Sequence, residues 1–371
     1  HIGQKLEDVQ KYQVDVFTVG SDWMGTFDWL KDYCEVVYLE RTKNVSSTML
    51  RAKKYKILNL GVIGTGRIAR RFYPETKYVS GINIKGVYNP HLQSALDYQE
   101  TFGLEFGTDC IEEFWEQVDA VYIASPHETH VSYIEQALQM GKHVLCEKPM
   151  VLLEREAQDL YTLAAKKGCV LMEAVKTAYC PGFQQLLGIA RSGVIGAVRD
   201  VEAAFTKLES AGSRELTDLA FGGSFLELAS YPLLAIIKLL GTDYEDLRFE
   251  AIRGENGIDL YTKAYFRYKN SLATAKTGLG VKSEGELLIS GTKGYIFVPA
   301  PWWKTQEIEV RFENPEQNEK FFYKFLGEGL RYEVSDFVAA VNGNEKKEHK
   351  LRAEESVAMA RVMEAWRNAQ G

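Results

Sequence analysis

Hydrophobic and polar positions follow a regular pattern in the middle of the chain. Between about residues 52 and 150, short apolar runs are separated by amphipathic segments. The runs predict strands at Ile57–Gly64, Ile82–Tyr88, Ala120–Ala124 and His143–Cys146, and the segments predict helices such as Leu92–Phe102 and Val131–Met140. Strands that alternate with helices at this spacing are typical of a doubly wound parallel sheet. We therefore predict an α/β domain of the Rossmann type over residues 52–150.

The pattern changes after Gly196, where the apolar alternation continues over longer runs. These runs are Val198–Phe205, Arg248–Arg253, Leu260–Tyr268, Ser271–Thr277 and Glu286–Ile289. They predict an α+β domain over residues 151–351 with a large, open, mostly antiparallel sheet, and a C-terminal helix at about 352–370 that packs back on the first domain. Such a sheet covers its second face with helices or with another subunit, so we expect a homo-oligomer, a dimer or a tetramer.

The segment before about Arg51 fits neither pattern, and the polar stretch Lys53–Lys56 separates it from the first apolar strand. We predict an extra N-terminal α/β fragment over residues 1–51. The predicted fold class is therefore α/β, with a Rossmann sheet, a second α+β domain and this fragment.

Composition excludes several functions. The net charge is −7 and there is no dense basic run, so nucleic acid is not an expected partner. Apolar stretches such as Tyr231–Leu240 are too short to cross a membrane, and the N-terminus has no signal-peptide pattern. We expect a cytoplasmic protein without a membrane partner. The five cysteines are scattered, and no metal site is predicted.

A glycine-rich stretch connects the first strand of the middle region to its first helix. Its residues are Gly64, Thr65, Gly66, Arg67, Ile68 and Ala69. In this context Gly64 permits a tight turn, Gly66 lets the backbone approach a pyrophosphate, and the helix N-terminus offers free amides to the anion. The alternative is a tight turn with no ligand. The surrounding strands and helices favour dinucleotide binding.

The choice of dinucleotide depends on the end of the second strand. An acidic residue there holds the ribose hydroxyls of NAD, but this chain has Asn89. Asparagine can bind a ribose hydroxyl without repelling a 2′-phosphate, and Arg67, Arg70 or His91 could add positive charge. Both NAD and NADP therefore stay open as the cofactor.

Two further motifs follow at the ends of later strands. They are Asp119-Ala120-Val121-Tyr122-Ile123-Ala124-Ser125-Pro126-His127 and Gly141-Lys142-His143-Val144-Leu145-Cys146-Glu147-Lys148-Pro149. With them, and with Gly222-Gly223-Ser224 and Ile289-Ser290-Gly291-Thr292-Lys293-Gly294, the chain from about Tyr55 onward resembles the Gfo/Idh/MocA oxidoreductases. The resemblance implies an NAD(P)-dependent enzyme that acts on a small sugar or polyol.

The resemblance also implies roles for single residues. Lys148 would contact the reacting hydroxyl and the nicotinamide ribose, Glu147 would orient it, and Pro149 would follow a cis peptide bond. An ammonium group there stabilises negative charge that develops on the substrate oxygen. The residues implied to flank the nicotinamide are Ser125, Pro126, His127 and His130.

The family's second catalytic motif, D-x-G-x-[HY], corresponds to Glu227-Leu228-Ala229-Ser230-Tyr231, where glutamate and alanine replace the usual aspartate and glycine. One helical turn separates Glu227 from Tyr231, so both face the same side. Tyr231 resembles the family's proton carrier, and a nearby lysine is expected to lower its pKa. A core aromatic residue is the alternative interpretation. Glu173 and Lys176 are weaker candidates for the same cleft.

The leading segment resembles the C-terminal part of glycerol-3-phosphate cytidylyltransferases. The similar stretches are Asp15–Trp23, Cys34–Leu39 and Arg41–Thr48, the last with Asn44 in place of a glycine. The H-x-G-H motif of such enzymes is missing, because His1-Ile2-Gly3-Gln4 lacks the second histidine. We expect a piece of a longer bifunctional nucleotidyltransferase–oxidoreductase.

The resulting prediction is hydride transfer between a nicotinamide and a secondary alcohol or carbonyl of a sugar, polyol or nucleotide-linked derivative. Lys148 polarises the oxygen, Tyr231 carries the proton, and Glu227 assists. No metal is needed for this chemistry. One alternative is a dinucleotide-binding sensor or scaffold without catalysis. Another is a chain that is chiefly a nucleotidyltransferase, which the missing motif argues against.

Overall fold

The structure, a computed structural model, describes residues 4–20, 23–39, 57–343 and 350–369. Contacts divide the chain into two compact units, His1–Lys56 and Ile57–Gly371. Within the described part, no helix is long and apolar enough to cross a membrane.

The first unit contains helix α1 (Gln4–Lys11), strand β1 (Val16–Gly20), a 3₁₀ turn (Asp28–Asp32) and strand β2 (Glu35–Leu39). The two strands pair in parallel. Its small core is made of Val9, Phe27 and Leu30. This unit has an α/β arrangement. The stretches Arg41–Thr48 and Lys53–Lys56 of the sequence analysis lie outside the described residues, as does His1.

The second unit begins with alternating strands and helices. They are β3 (Leu58–Ile63), α2 (Arg67–Thr76), β4 (Ile82–Tyr88), α3 (Leu92–Phe102), β5 (Phe106–Thr108), α4 (Ile111–Gln117), β6 (Ala120–Ile123), α5 (His130–Gln139), β7 (His143–Glu147), α6 (Glu154–Lys167) and β8 (Leu171–Ala174). Within the described residues these strands form a six-stranded sheet in the order β5-β4-β3-β6-β7-β8, and all pairs are parallel. The predicted Rossmann sheet is confirmed.

One strand of this sheet lies beyond the boundary that the sequence analysis placed at residue 150. Strand β8 pairs in parallel with β7, with Leu171 opposite Val144. Helix α6 provides the crossover connection that a parallel neighbour requires, and Gly168 ends that helix with φ 64°. The parallel sheet therefore extends to Ala174, and residues 151–174 belong to it rather than to the second domain.

The remaining elements build the larger sheet. They are α7 (Pro181–Arg191), β9 (Val198–Thr206), α8 (Arg214–Thr217), α9 (Ser224–Leu228), α10 (Ser230–Leu240), β10 (Asp246–Arg253), β11 (Asp259–Arg267), β12 (Leu272–Gly278), β13 (Leu287–Gly291), β14 (Tyr295–Val298), β15 (Glu307–Arg311), β16 (Glu319–Phe322), α11 (Leu330–Val341) and α12 (Ala353–Asn368). Among the described residues the sheet has eight strands in the order β10-β11-β12-β9-β13-β14-β15-β16. The β12–β9 pair is parallel and the others are antiparallel, which confirms a mostly antiparallel sheet.

The two faces of this sheet differ. On β11, Thr262, Ala264 and Phe266 are buried, while Tyr261 and Tyr265, which alternate with them, are partly exposed. Helix α10 packs on the inner face against β9. Helix α12 packs against both α10 and α6, so the end of the chain returns to the layer that covers the parallel sheet.

Candidate active site

The glycine loop after β3 has a geometry that requires glycine at one position and leaves space at another. Gly64 has φ 100°, and a Cβ there would lie 2.6 Å from the carbonyl oxygen of Ala124. Gly66 precedes helix α2, and nothing lies within 4 Å of where its Cβ would be. No side chain caps this helix, so its first backbone amides can donate to an anion. The loop fits the pyrophosphate of a dinucleotide.

Asn89 lies at the end of β4, beside the glycine loop. Its Nδ2 donates to Thr65 Oγ1 at 2.9 Å, and its Oδ1 accepts from the backbone amide of His91 at 2.9 Å. The side chain therefore ties two loops together and adds no negative charge. Arg67 and Arg71 line the same cavity, whereas the guanidinium of Arg70 lies over the Tyr98 ring. Arg67 Nη2 lies 3.3 Å from Glu215 Oε1, so Arg71 is the guanidinium at this end of the site that is better placed to meet a phosphate.

The loop opens into a cavity of about 780 Å³ between the parallel sheet and the inner part of the larger sheet. Residues of the first sheet's loops form one wall. Side chains from β9, α9, α10 and the segment before β15 form the other. The volume is within the range typical of ligand and cofactor sites.

The loop after β6 brings three predicted residues to this cavity and leaves one behind it. Ser125, Pro126 and His127 line the cavity, and burial lowers the pKa of His127 well below its ordinary value. His130 is fully buried, with Nε2 3.0 Å from the Ser125 carbonyl and Nδ1 3.0 Å from the Pro149 carbonyl. His130 therefore joins the loops after β6 and β7 and does not line the cavity, contrary to the prediction that it contacts the cofactor.

Lys148 follows β7 and reaches across the cavity to the opposite wall. Its Nζ donates to the backbone carbonyl of Glu227 at 2.8 Å and lies 3.6 Å from Glu227 Oε1. The same Nζ is 5.9 Å from the centre of the Tyr231 ring. The bond between Lys148 and Pro149 is cis, as the sequence analysis expected. The structure thus brings together the three side chains predicted to be catalytic.

Glu147 supports this arrangement from beneath. Its carboxylate accepts a hydrogen bond from the Tyr122 hydroxyl and one from the backbone amide of Lys148 at 3.3 Å. Burial raises its pKa, and these hydrogen bonds oppose the rise. Tyr122 is itself stacked on Phe72 at a ring distance of 3.6 Å. Glu147 therefore holds the backbone of Lys148, while the ammonium group extends across the cavity to Glu227.

Tyr231 is the second residue of helix α10 and packs against Phe205 at a ring distance of 5.1 Å. Burial, reinforced by the negative charges of Glu147, Glu333 and Glu227, raises the pKa of Tyr231 well above its ordinary value. The prediction that a neighbouring lysine lowers this pKa is wrong, because desolvation of the phenolate outweighs the attraction of the ammonium. The phenol is therefore protonated at neutral pH and can donate a proton.

A buried aspartate positions the helix that carries Glu227. Asp259 accepts from Ser224 Oγ at 2.7 Å, from the amide of Phe225 at 2.9 Å and from Thr262 Oγ1 at 2.7 Å. Gly223 has φ 99°, and a Cβ there would lie 2.0 Å from the same carboxylate. This explains the Gly-Gly-Ser motif, since only glycine allows helix α9 to start so close to Asp259.

The cavity also contains residues that the sequence analysis missed. They are Arg71, Phe205, Lys207, Glu209, Arg214, Trp303 and Lys304. Arg71 lies one helical turn after Arg67, so helical periodicity could have found it. The others come from strand ends and turns far apart in sequence, and no local motif marks them. Of the weaker candidates, Lys176 lines the cavity, whereas Glu173 is buried behind it, where its Oε1 accepts from the amide of Met150 at 3.1 Å. Among the described residues, no group of His, Cys, Asp or Glu could hold a metal ion.

A dinucleotide loop that opens onto a lysine and a protonated phenol defines an NAD(P)-dependent oxidoreductase. Residues 58–175 match the family model described as an oxidoreductase family with an NAD-binding Rossmann fold, and residues 183–297 match the GFO/IDH/MocA C-terminal domain. Together the two matches span more than half of the chain, which belongs to the Gfo/Idh/MocA oxidoreductases.

Individual relatives extend this comparison. The chain is 25% identical over 325 residues to scyllo-inositol 2-dehydrogenase (NADP(+)) IolU of Bacillus subtilis (strain 168), a match that covers 85% of this chain and 98% of that protein. It is 33% identical over 227 residues to dTDP-3,4-didehydro-2,6-dideoxy-alpha-D-glucose 3-reductase of Actinomadura kijaniata, covering 60% of this chain and 66% of that protein.

A solved structure is also similar. It is the crystal structure of KijD10, a 3-ketoreductase from Actinomadura kijaniata, in complex with NADP and TDP-benzene. The TM-score is 0.72 at 25% identity, and the match covers 84% of this chain and 97% of that one.

Proposed function

We propose that the protein transfers a hydride between a nicotinamide cofactor and a secondary alcohol or carbonyl carbon of a sugar, a polyol or a nucleotide-linked derivative. The observation that carries this proposal is the convergence of Lys148, Glu227 and Tyr231 in the cavity that the glycine loop enters. The names of two relatives, an inositol dehydrogenase and a dTDP-sugar reductase, support the substrate class.

The backbone of Gly64–Ile68 and the start of helix α2 would hold the pyrophosphate, with Ser125, Pro126 and His127 beside the ring. When bound, the cofactor supplies or accepts the hydride. The Lys148 ammonium, fixed by its two contacts to Glu227, stabilises negative charge on the reacting oxygen. Tyr231 Oη then donates its proton to that oxygen. Because burial keeps this phenol protonated, the site is suited to reduction of a carbonyl at neutral pH.

The experiment that tests this function combines binding with turnover. The purified chain is titrated with NADH and NADPH by fluorescence, and oxidation of the cofactor is then followed with ketoses, inosose and a dTDP-ketosugar. We expect binding and turnover of at least one substrate, with turnover lost in Lys148→Ala and kept in Lys269→Ala, an exposed residue outside the cavity. Binding without turnover would favour the sensor or scaffold, and absence of binding would contradict dinucleotide binding altogether.

We also propose that a second copy of the chain covers the outer face of the larger sheet. Partly exposed aromatic rings lie on this face, among them Tyr261, Tyr265 and Phe297. The face also carries charged side chains, such as Lys263 opposite Lys276, so an interface there would be mixed in character. Light scattering should give a dimer or tetramer, and Tyr265→Glu should lower the mass. A monomeric wild-type chain would contradict this.

For the leading unit we propose a nucleotidyltransferase-like origin, within a bifunctional enzyme. The proposal depends on the stretches Asp15–Trp23 and Cys34–Leu39 and on the parallel pairing of β1 with β2. The family matches begin at residue 58 and do not test this unit. Calorimetry of the full chain with CTP, compared with Arg41→Ala, tests it. Absence of CTP binding by the wild-type chain would remove the support for a nucleotide site here.

A further inference from the structure

The wall of the cavity beyond Lys148 contains three more ammonium groups, which we call the lysine wall: Lys176, Lys207 and Lys304. They come from three separate places in the fold. Lys176 follows β8, Lys207 follows β9, and Lys304 ends the 3₁₀ turn before β15. No step of the proposed hydride transfer uses them. Ammonium groups brought together in one cavity repel each other, so their convergence calls for a counter-charge.

Local carboxylates neutralise one of the three. Lys207 is ion-paired with Glu209 and lies 4.0 Å from Glu227 Oε1. Lys304 has a loose partner, Glu328, whose Oε2 is 3.9 Å away on a side chain that is 44% exposed. An exposed pair at this distance contributes little. Lys304 therefore retains most of its capacity to bind another anion.

Lys176, unlike Lys207 and Lys304, has no carboxylate partner for its ammonium group among the described residues. Its Nζ donates to the backbone carbonyl of Glu328 at 3.0 Å, and in the described part of the chain it forms no ion pair within 4.0 Å. Burial lowers its pKa, with Lys304 adding repulsion and Glu333, Glu328 and Glu147 opposing the fall. A partly buried ammonium with one neutral partner is costly. An anion in the cavity would relieve that cost.

Two buried acids, Glu333 and Glu147, oppose the fall in the pKa of Lys176. Glu333 is fully buried and neither of its carboxyl oxygens has a hydrogen-bond partner, and burial raises its pKa well above the ordinary value, which disfavours its charged form. The carboxylate of Glu147 is already engaged by Tyr122 and by the amide of Lys148. Neither acid forms a hydrogen bond with Lys176 or Lys304, so both ammonium groups can still bind an anion.

The two lysines are held side by side by their neighbours in sequence. Thr177 Oγ1 donates to the backbone carbonyl of Trp303 at 2.8 Å, which fixes the turn that carries Lys176 against the turn that carries Lys304. The Trp303 indole is stacked on Phe205 at a ring distance of 3.6 Å and an angle of 9°, and both rings line the cavity. Lys176 and Lys304 thus lie beside an apolar aromatic surface.

We propose that the substrate carries a phosphate group, which the ammonium groups of Lys176 and Lys304 hold while the carbon skeleton packs beside Trp303 and reaches Lys148. Charge-assisted hydrogen bonds from two ammonium groups suit a phosphate oxygen cluster. A polyol phosphate and the diphosphate of a nucleotide-linked sugar share this chemistry. The proposal rests on the hydride-transfer function proposed above and specifies its substrate class.

The test compares matched pairs of ligands on the full chain in the presence of saturating cofactor. The pairs are inositol with inositol 1-phosphate, ribitol with ribitol 5-phosphate, and glucose with dTDP-glucose. We expect the phosphorylated member of at least one pair to have a kcat/KM about 100-fold higher, and we expect Lys304→Gln and Lys176→Gln each to raise its KM roughly 10- to 100-fold. Lys269→Gln is the matched control and should match the wild-type chain. The pair that responds distinguishes the monoester from the nucleotide diphosphate.

Binding is measured separately, so that the two proposals can fail separately. Calorimetry of the NADP-saturated chain with each phosphorylated ligand should give a signal that both lysine variants weaken and the control does not. Turnover of an unphosphorylated alcohol with no gain from phosphate would overturn the phosphate site and leave hydride transfer intact. Absence of all turnover together with lysine-dependent binding would support the phosphate site and overturn the hydride-transfer function. No turnover and no lysine-dependent binding would overturn both.

Discussion

The two walls of the cavity differ in the groups that they present to a ligand. The wall of the parallel sheet uses backbone: a glycine with φ 100°, a second glycine with open space in front of it, and an uncapped helix start. The opposite wall uses side chains, with Lys207, Tyr231, Trp303 and Lys304 contributed by separate elements. On the proposed function, a cofactor common to many enzymes would be bound by main-chain geometry, while the variable substrate would be bound by groups that single substitutions can change.

The largest expected effect on the opposite wall comes from substitution of Tyr231. Tyr231→Phe removes the proton donor and keeps the ring against Phe205, so we expect kcat for carbonyl reduction to fall roughly 10²- to 10⁴-fold with little change in cofactor affinity. Stopped-flow measurement of NADPH oxidation gives this rate. In the wild-type chain, the contribution of this phenol should not decline between pH 7 and pH 9, because its raised pKa keeps it protonated there. Equal rates for variant and wild type would remove Tyr231 from the chemistry.

Substitution of the two glycines in the loop of the parallel-sheet wall should have two distinguishable effects. In Gly64→Ala the new Cβ meets the Ala124 carbonyl at 2.6 Å with φ 100°, so we expect a loss of stability of about 1–3 kcal/mol. In Gly66→Ala the Cβ enters open space, so the melting temperature should hold while cofactor affinity drops. Thermal denaturation and fluorescence titration of both variants separate the effects. An unchanged cofactor affinity in Gly66→Ala would mean that the pyrophosphate lies elsewhere.

A buried acid on the parallel-sheet side of the cavity sharpens the comparison through pH. Burial raises the pKa of Glu173 from 4.5 to about 7, so between these values the folded protein keeps a proton that the unfolded chain has lost. The resulting stabilisation is complete below about pH 4.5 and is lost as pH rises through 7, by about 3 kcal/mol in all. The Gln side chain of Glu173→Gln cannot ionise. The melting temperature of this variant, relative to that of the wild type, should therefore rise between pH 5 and pH 8.5. A constant difference between the two would show that Glu173 keeps an ordinary pKa.

The smallest expected effect concerns the choice of cofactor. Asn89→Asp places a carboxylate beside the glycine loop, where it would repel a 2′-phosphate and accept from ribose hydroxyls. We expect the ratio of NADPH to NADH affinity to fall by roughly tenfold, a shift of about 1.4 kcal/mol. Loss of the amide's bond to Thr65 affects both cofactors, and Asn89→Ala serves as the control for it. A ratio that does not move would mean that Asn89 does not face the adenosine ribose.

Sequence patterns predicted the wall formed by the parallel sheet better than the opposite wall, because the residues of the first wall are close together in sequence. The glycine loop and the run that ends in Lys148 are continuous stretches whose strand and helix context is readable nearby. Trp303 and Phe205 stack on each other because long-range pairing in the larger sheet places β9, β13, β14 and β15 side by side, and no periodicity encodes that order. The direction of the Tyr231 pKa was mispredicted for the same reason, since burial depends on what packs around the ring.

The hydrogen bond from Thr177 to the Trp303 carbonyl joins the two sheets at their shared cavity. The turn that bears Lys176 belongs to the end of the parallel sheet, while Trp303 and Lys304 belong to the larger one. Substitutions in the turn that bears Trp303 and Lys304 would therefore change the substrate-facing side chains without altering the parallel sheet. On the proposed function, single substitutions in that turn would change the preferred substrate while the protein continued to use the same nucleotide.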